Sequence, residues 1–165
     1  MADDTIQLST FFSEKDIVFD QTVPSMYNLV SALVERLAAN HFPGVPCGPI
    51  VDAVLRRERT SPTAVGEGVA LPHTRISGIE RPYMALGIYP AGVPAEGVEK
   101  PLKLVFLLLV PESQPARYLQ ILRALAKLLR EPGAAERLAA SREPSDVMAQ
   151  LRRSELSLPE YVCGG

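Results

Sequence analysis

Apolar positions along this chain follow first one period and then another, and the changes predict helices alternating with strands. Over residues 25–40, Leu29, Leu33, Val34 and Leu37 recur at helical spacing, so one stripe of a helix is apolar. Pro24 and Ser25 open that helix, and His41-Phe42-Pro43-Gly44 closes it. A short strand is expected at 17–19, ahead of it. A second helix is expected over 49–57, with Ile50, Val54 and Ala53 turned inward. Residues 59–75 have a different texture, rich in Gly, Thr, Ser and Pro, with Val65, Val69 and Leu71 as apolar β-formers.

Two strands follow, at 83–89 and 102–110, each set between prolines. The second is apolar on both faces and predicts an interior strand covered on both sides. Residues 91–99 form a Gly- and Pro-containing loop between them. A third helix spans 115–130, with Leu119, Leu122, Leu125, Ala126 and Leu129 as its expected stripe. Ser113 suits its N-cap and Pro115 its first turn. Shorter helical pieces at 133–140 and 145–152 precede a polar tail, 157–165, expected to be mobile. The pattern predicts one α/β domain, a central sheet covered by helices.

Composition narrows the function classes. The 165 residues suit a single domain. Lys and Arg number 17 against 19 Asp and Glu, a net charge of -2 that lacks the basic footprint of a nucleic-acid binder. The longest apolar run, Leu104 to Val110, falls far short of the roughly 20 residues of a membrane span. Met1-Ala2-Asp3-Asp4 is acidic where a secretory signal is basic, so a soluble, cytoplasmic protein is expected. Cys47 and Cys163 are too far apart to suggest a metal site or disulfide framework and read as reduced thiols.

Candidate chemistry centres on two histidines. His41 falls at a helix C-terminus, where an imidazole interacts favourably with the last carbonyls, a structural role. His73 lies in Gly66-Glu67-Gly68-Val69-Ala70-Leu71-Pro72-His73. The glycines permit close backbone approach, Pro72 stiffens the chain just before the ring, and Arg57, Arg59 and Arg75 add cations suited to an oxyanion. Gly66 and Gly68 lack the third glycine of a dinucleotide fingerprint, and no Walker sequence, His-x-x-x-His pair or Gly-x-Ser-x-Gly elbow is present.

The stretch Arg57-Glu58, then Thr63 through Gly-x-Gly-Val-Ala-Leu-Pro-His73, resembles the active-site segment of fructose/mannitol-type enzyme IIA domains of the bacterial phosphotransferase system. It looks most like the free-standing, nitrogen-regulatory members. The resemblance covers most of residues 5–152 and implies a mixed β-sheet with helices on both faces, in a single domain at 1–156. It implies that His73 is phosphorylated by the carrier protein HPr, with Arg57 as cationic donor and Thr63 as hydroxyl donor to the phosphoryl group. It implies no cofactor and no metal. Partners would be HPr and either a regulated protein or a separate enzyme IIB.

One position departs from the family. Members that pass phosphate onward carry a second histidine near the start of the helix after the long apolar strand, and Tyr118 stands there. A phenol donates a hydrogen bond but supplies no cation at neutral pH. Arg117 beside it is a candidate replacement for that charge. The leading reading is a phosphocarrier or regulatory protein. The alternative is an enzyme IIA-like module that binds a protein or an anion without being phosphorylated.

Overall fold

The computed structural model describes residues 7–11, 13–60, 62–64 and 67–163, with side chains described as far as Arg153. Five strands, β1 (Ile17–Phe19), β2 (Val69–Ala70), β3 (His73–Ile76), β4 (Tyr83–Val93) and β5 (Leu102–Pro111), form one mixed sheet. β1 runs parallel to β4, β4 antiparallel to β5, and β2 and β3 lie end to end, both parallel to β5. Helices α1 (Met26–His41), α2 (Cys47–Thr60), α3 (Pro115–Arg130), α4 (Ala134–Ala139) and α5 (Pro144–Cys163) cover the sheet. Short 3-10 turns at Leu8–Thr10 and Glu14–Asp16 precede β1.

β5 is the interior strand that its two-faced pattern predicts. Leu104, Phe106, Leu108 and Val110 point to one core, with Ile121, Leu125 and Leu128 of α3. Val105, Leu107 and Leu109 point to the other, with Leu29, Leu33 and Leu37 of α1 and Ile50 and Val54 of α2. Alternate side chains of a strand face opposite ways, so a continuous apolar run serves two cores at once. Each such buried side chain contributes about 1.5–3 kcal/mol.

The helices begin as their sequences dictate, with local exceptions. Ser25 caps α1, its hydroxyl accepting the Asn28 N–H at 3.1 Å. At α3 the N-cap is Gln114 rather than Ser113, and Pro115 occupies the first turn. The α3 stripe is Ile121, Leu125 and Leu128, whereas Leu119 is 54% exposed. Helical periodicity puts Leu119 across the helix from Ile121 and Leu128, while Tyr118, Leu122 and Leu129 border the core. Among the described residues, no helix is long and apolar enough to cross a membrane.

Two boundaries move. β4 continues through Pro90 to Val93, with a register shift between Ile88 and Val93. β1 ends opposite Ile88, so no neighbouring strand requires an N–H from Pro90, and the irregularity accommodates it. The loop expected at 91–99 is correspondingly shorter. α5 extends past 152 to Cys163 and takes in most of the segment expected as a tail, while Gly164 and Gly165 lie outside the described residues.

His41 ends α1 but bonds a side chain rather than a helix carbonyl. Its Nε2–H donates to both oxygens of Asp16, at 2.9 and 3.0 Å, and its ring stacks on Tyr83 at 4.5 Å. Asp16 is fully buried and also accepts from Asn40 Nδ2 at 2.9 Å and from the Ser13 N–H at 3.1 Å. This carboxylate ties the segment before β1 to the end of α1.

Candidate functional site

β2 and β3 are one edge strand interrupted at Leu71-Pro72. Pro72 has no N–H to offer, but its carbonyl still accepts from Leu108 at 3.0 Å, so the strand resumes in register with His73 opposite Leu108. Gly68 makes the approach to β2 feasible. Its φ is +77°, a Cβ there would stand 3.0 Å from the Pro101 carbonyl oxygen, and its own carbonyl accepts from Lys103 and Leu104. Val69 and Leu71 face the α3 core, and strand alternation puts the His73 ring on that side, beside Tyr118.

The His73 tautomer follows from its partners. A carbonyl oxygen only accepts, so the bond of 2.7 Å between Nδ1 and Leu71 O requires the proton on Nδ1. Nε2 then carries the lone pair, and the Tyr118 hydroxyl donates to it at 2.5 Å. Arg57 donates in turn to the Tyr118 oxygen at 3.2 Å. α2 packs on one face of the sheet and α3 on the other, and their side chains meet around its edge at His73.

His73 is 8% exposed. Burial is the largest influence on its pKa and drives it below the ordinary value of 6.5; the bond to Leu71 opposes this, the Arg57 charge adds to it, and the Glu58 carboxylate opposes it. A neutral imidazole with an oriented Nε2 lone pair is a nucleophile that needs no base.

Thr63 is bonded to Glu58 and to the strand that carries His73. Its N–H and O–H both donate to Glu58, at 2.9 and 2.7 Å, and its Oγ1 accepts the Leu71 N–H at 3.1 Å. That hydroxyl is committed to the strand that carries His73. Arg117 is exposed and donates to Gln120 at 3.5 Å, along its own helix. Gly66 lies outside the described residues. The structure therefore brings His73, Arg57 and Tyr118 together and sets Thr63 behind them. Glu58, quoted in sequence only as half of an Arg-Glu pair, closes the group. Its signal was a carboxylate five positions before a loop threonine.

A mixed sheet between helical layers is the fold of solved enzyme IIA proteins. The nitrogen regulatory protein IIA-Ntr of Neisseria meningitidis superposes with a TM-score of 0.77 at 26% identity, over 87% of this chain and 98% of that one. The mannitol IIA of Escherichia coli shares the fold, with a TM-score of 0.70 at 22% identity, over 85% of this chain and 98% of that one. In sequence, a nitrogen regulatory protein of Bradyrhizobium diazoefficiens is 37% identical over 111 residues, 67% of this chain and 69% of that protein. Residues 10–154 match the model of the phosphoenolpyruvate-dependent sugar phosphotransferase system EIIA 2 family, and the chain belongs to that family.

Proposed function

We propose that this chain accepts a phosphoryl group from phosphorylated HPr on Nε2 of His73, and that its two states signal to, or supply, a partner protein. The observation that carries this is the fixed Nδ1–H bond to Leu71, which leaves a neutral, oriented lone pair on Nε2. In the step, the P–N bond of the phosphorylated carrier breaks as the P–Nε2 bond forms. The attacking atom bears no proton, so none has to leave. Positive charge developing on the ring is stabilised through Nδ1–H by the Leu71 carbonyl. Phosphoryl transfer is mainly positioning and charge stabilisation, and here Arg57 and the Tyr118 hydroxyl donate to the phosphoryl oxygens once Tyr118 has turned off Nε2.

Nitrogen regulatory relatives favour a signalling outcome. A solved complex of mannitol IIA with phosphorylated mannitol IIB, from Escherichia coli, supports a separate IIB as the alternative recipient. Cytoplasmic residence is part of the same proposal.

One contact favours the other reading, a module that is never phosphorylated: Tyr118 occupies the very lone pair that must attack. Incubation with phosphoenolpyruvate, enzyme I and HPr separates the two. A single acid-labile phosphoryl gain in intact mass, absent from His73→Ala, is the expected result. An unchanged mass in folded protein overturns it.

A further inference from the structure

Arg57 and Glu58 are consecutive residues, yet they close a ring of hydrogen bonds from opposite ends. Arg57 donates to Tyr118, Tyr118 to His73 Nε2, and His73 Nδ1–H to the Leu71 carbonyl. From the same Leu71, the N–H donates to Thr63, and Thr63 donates to Glu58. A guanidinium only donates and an ionised carboxylate only accepts, so both ends are fixed and each hydroxyl between them has one orientation. Among the described residues, no buried side-chain nitrogen or oxygen lacks a partner.

We infer that Glu58, acting through Thr63, is the positioning residue that fixes the reactive tautomer of His73. With its proton drawn to Glu58, Oγ1 of Thr63 presents a lone pair to the Leu71 N–H. That bond holds the Leu71 N–H at the break between β2 and β3, just before the Pro72 carbonyl rejoins β5 through Leu108. The Leu71 carbonyl is thereby held beside Nδ1, and the nucleophilic lone pair is confined to Nε2. Bidentate capture matters, because Glu58 takes the N–H as well as the O–H of Thr63 and so fixes the loop and the hydroxyl together. The Thr63 hydroxyl acts on the ring, not on the phosphoryl group.

This inference rests on the phosphocarrier reading for its consequence but not for its geometry, so two readouts are needed. Nitrogen-15 NMR of the imidazole reports the tautomer without any phosphoryl source. In the full chain, wild type is expected to show a single Nδ1–H form. Thr63→Val and Glu58→Gln are expected to give a mixture, with Thr63→Ser restoring the single form. Phosphorylation by HPr is expected to slow about tenfold in the first two, the scale of one lost hydrogen bond. Both variants alter half-buried positions, and Glu58→Gln keeps the side-chain shape if Thr63→Val perturbs the loop. Retention of one Nδ1–H form and of the wild-type rate in both variants overturns the inference. A tautomer change in a protein that never takes phosphate overturns the phosphocarrier reading and leaves the positioning role standing.

Discussion

Tyr118 and His73, 45 positions apart, share a hydrogen bond of 2.5 Å in which the phenol donates to the ring nitrogen bearing the lone pair. The family's usual second histidine would meet the first as another imidazole. A phenol instead covers Nε2 of His73 with a neutral donor and links it to Arg57. Turning Tyr118 away exposes Nε2 and leaves two donors at the place a phosphoryl group would occupy.

Tyr118→Phe keeps the ring packing and removes the hydroxyl. His73 is expected to take phosphate still, at a rate about tenfold lower, because one donor to the phosphoryl oxygens is lost. Single-turnover phosphorylation by HPr measures this. A rate above wild type would mean that masking of Nε2 outweighs help to the phosphoryl group. Tyr118→His is expected to speed transfer to a IIB partner by supplying a protonatable group.

Arg57→Gln removes the cation and is expected to slow phosphorylation about a hundredfold. The same change is expected to raise the His73 pKa, because the Arg57 charge helps to hold it down. NMR titration of the imidazole checks the second effect without a phosphoryl source. An unmoved titration would separate Arg57 from the ring electrostatically.

The lowered His73 pKa makes the folded protein bind fewer protons than the unfolded chain below the ordinary histidine value of 6.5. Stability contributed by this group is therefore fully present above that value and is lost as pH falls toward the folded pKa. Urea midpoints at pH 7.5 and 5.5 are expected to differ more in wild type than in His73→Asn. Equal differences would contradict the buried neutral ring.

Asp16→Ala tests the carboxylate beneath α1. His41, Asn40 and Ser13 all donate to it, and its loss is expected to cost about 2 kcal/mol or more. Denaturant unfolding measures this, while phosphorylation of His73 is expected to be unchanged. A loss below about 0.5 kcal/mol would show that water satisfies these donors equally well.

Leu107→Ala empties part of a fully buried site between β5 and the α1/α2 layer and is expected to cost about 2–5 kcal/mol. A change below about 1 kcal/mol would show that the layer collapses onto the cavity.

The chain's own pattern determined the sheet interior and the helical layers. β5 is apolar at alternate positions on both sides, and that local property dictates burial on two faces wherever the strand sits. The segment from Arg57 to His73 was legible for a similar reason: glycine, proline and imidazole carry their conformational and chemical limits with them. Tertiary structure alone decided what the side chains do to one another. Leu119 reads as core by spacing but is exposed, because the sheet takes the face of α3 that carries Ile121, Leu125 and Leu128. Pro90 reads as a strand end but lies within β4, because what stops a strand is an unmet partner, and β1 had already finished. In sequence Thr63 reads as a hydroxyl donor to a phosphoryl group, and Glu58 only as half of an Arg-Glu pair. Their bonds to each other and to Leu71 arise only when the end of α2 folds back over the edge strand. Hydrogen-bond direction is a relation between atoms brought together in space, and the five-residue spacing of Glu58 and Thr63 brings them near each other without saying which way their hydrogen bond runs.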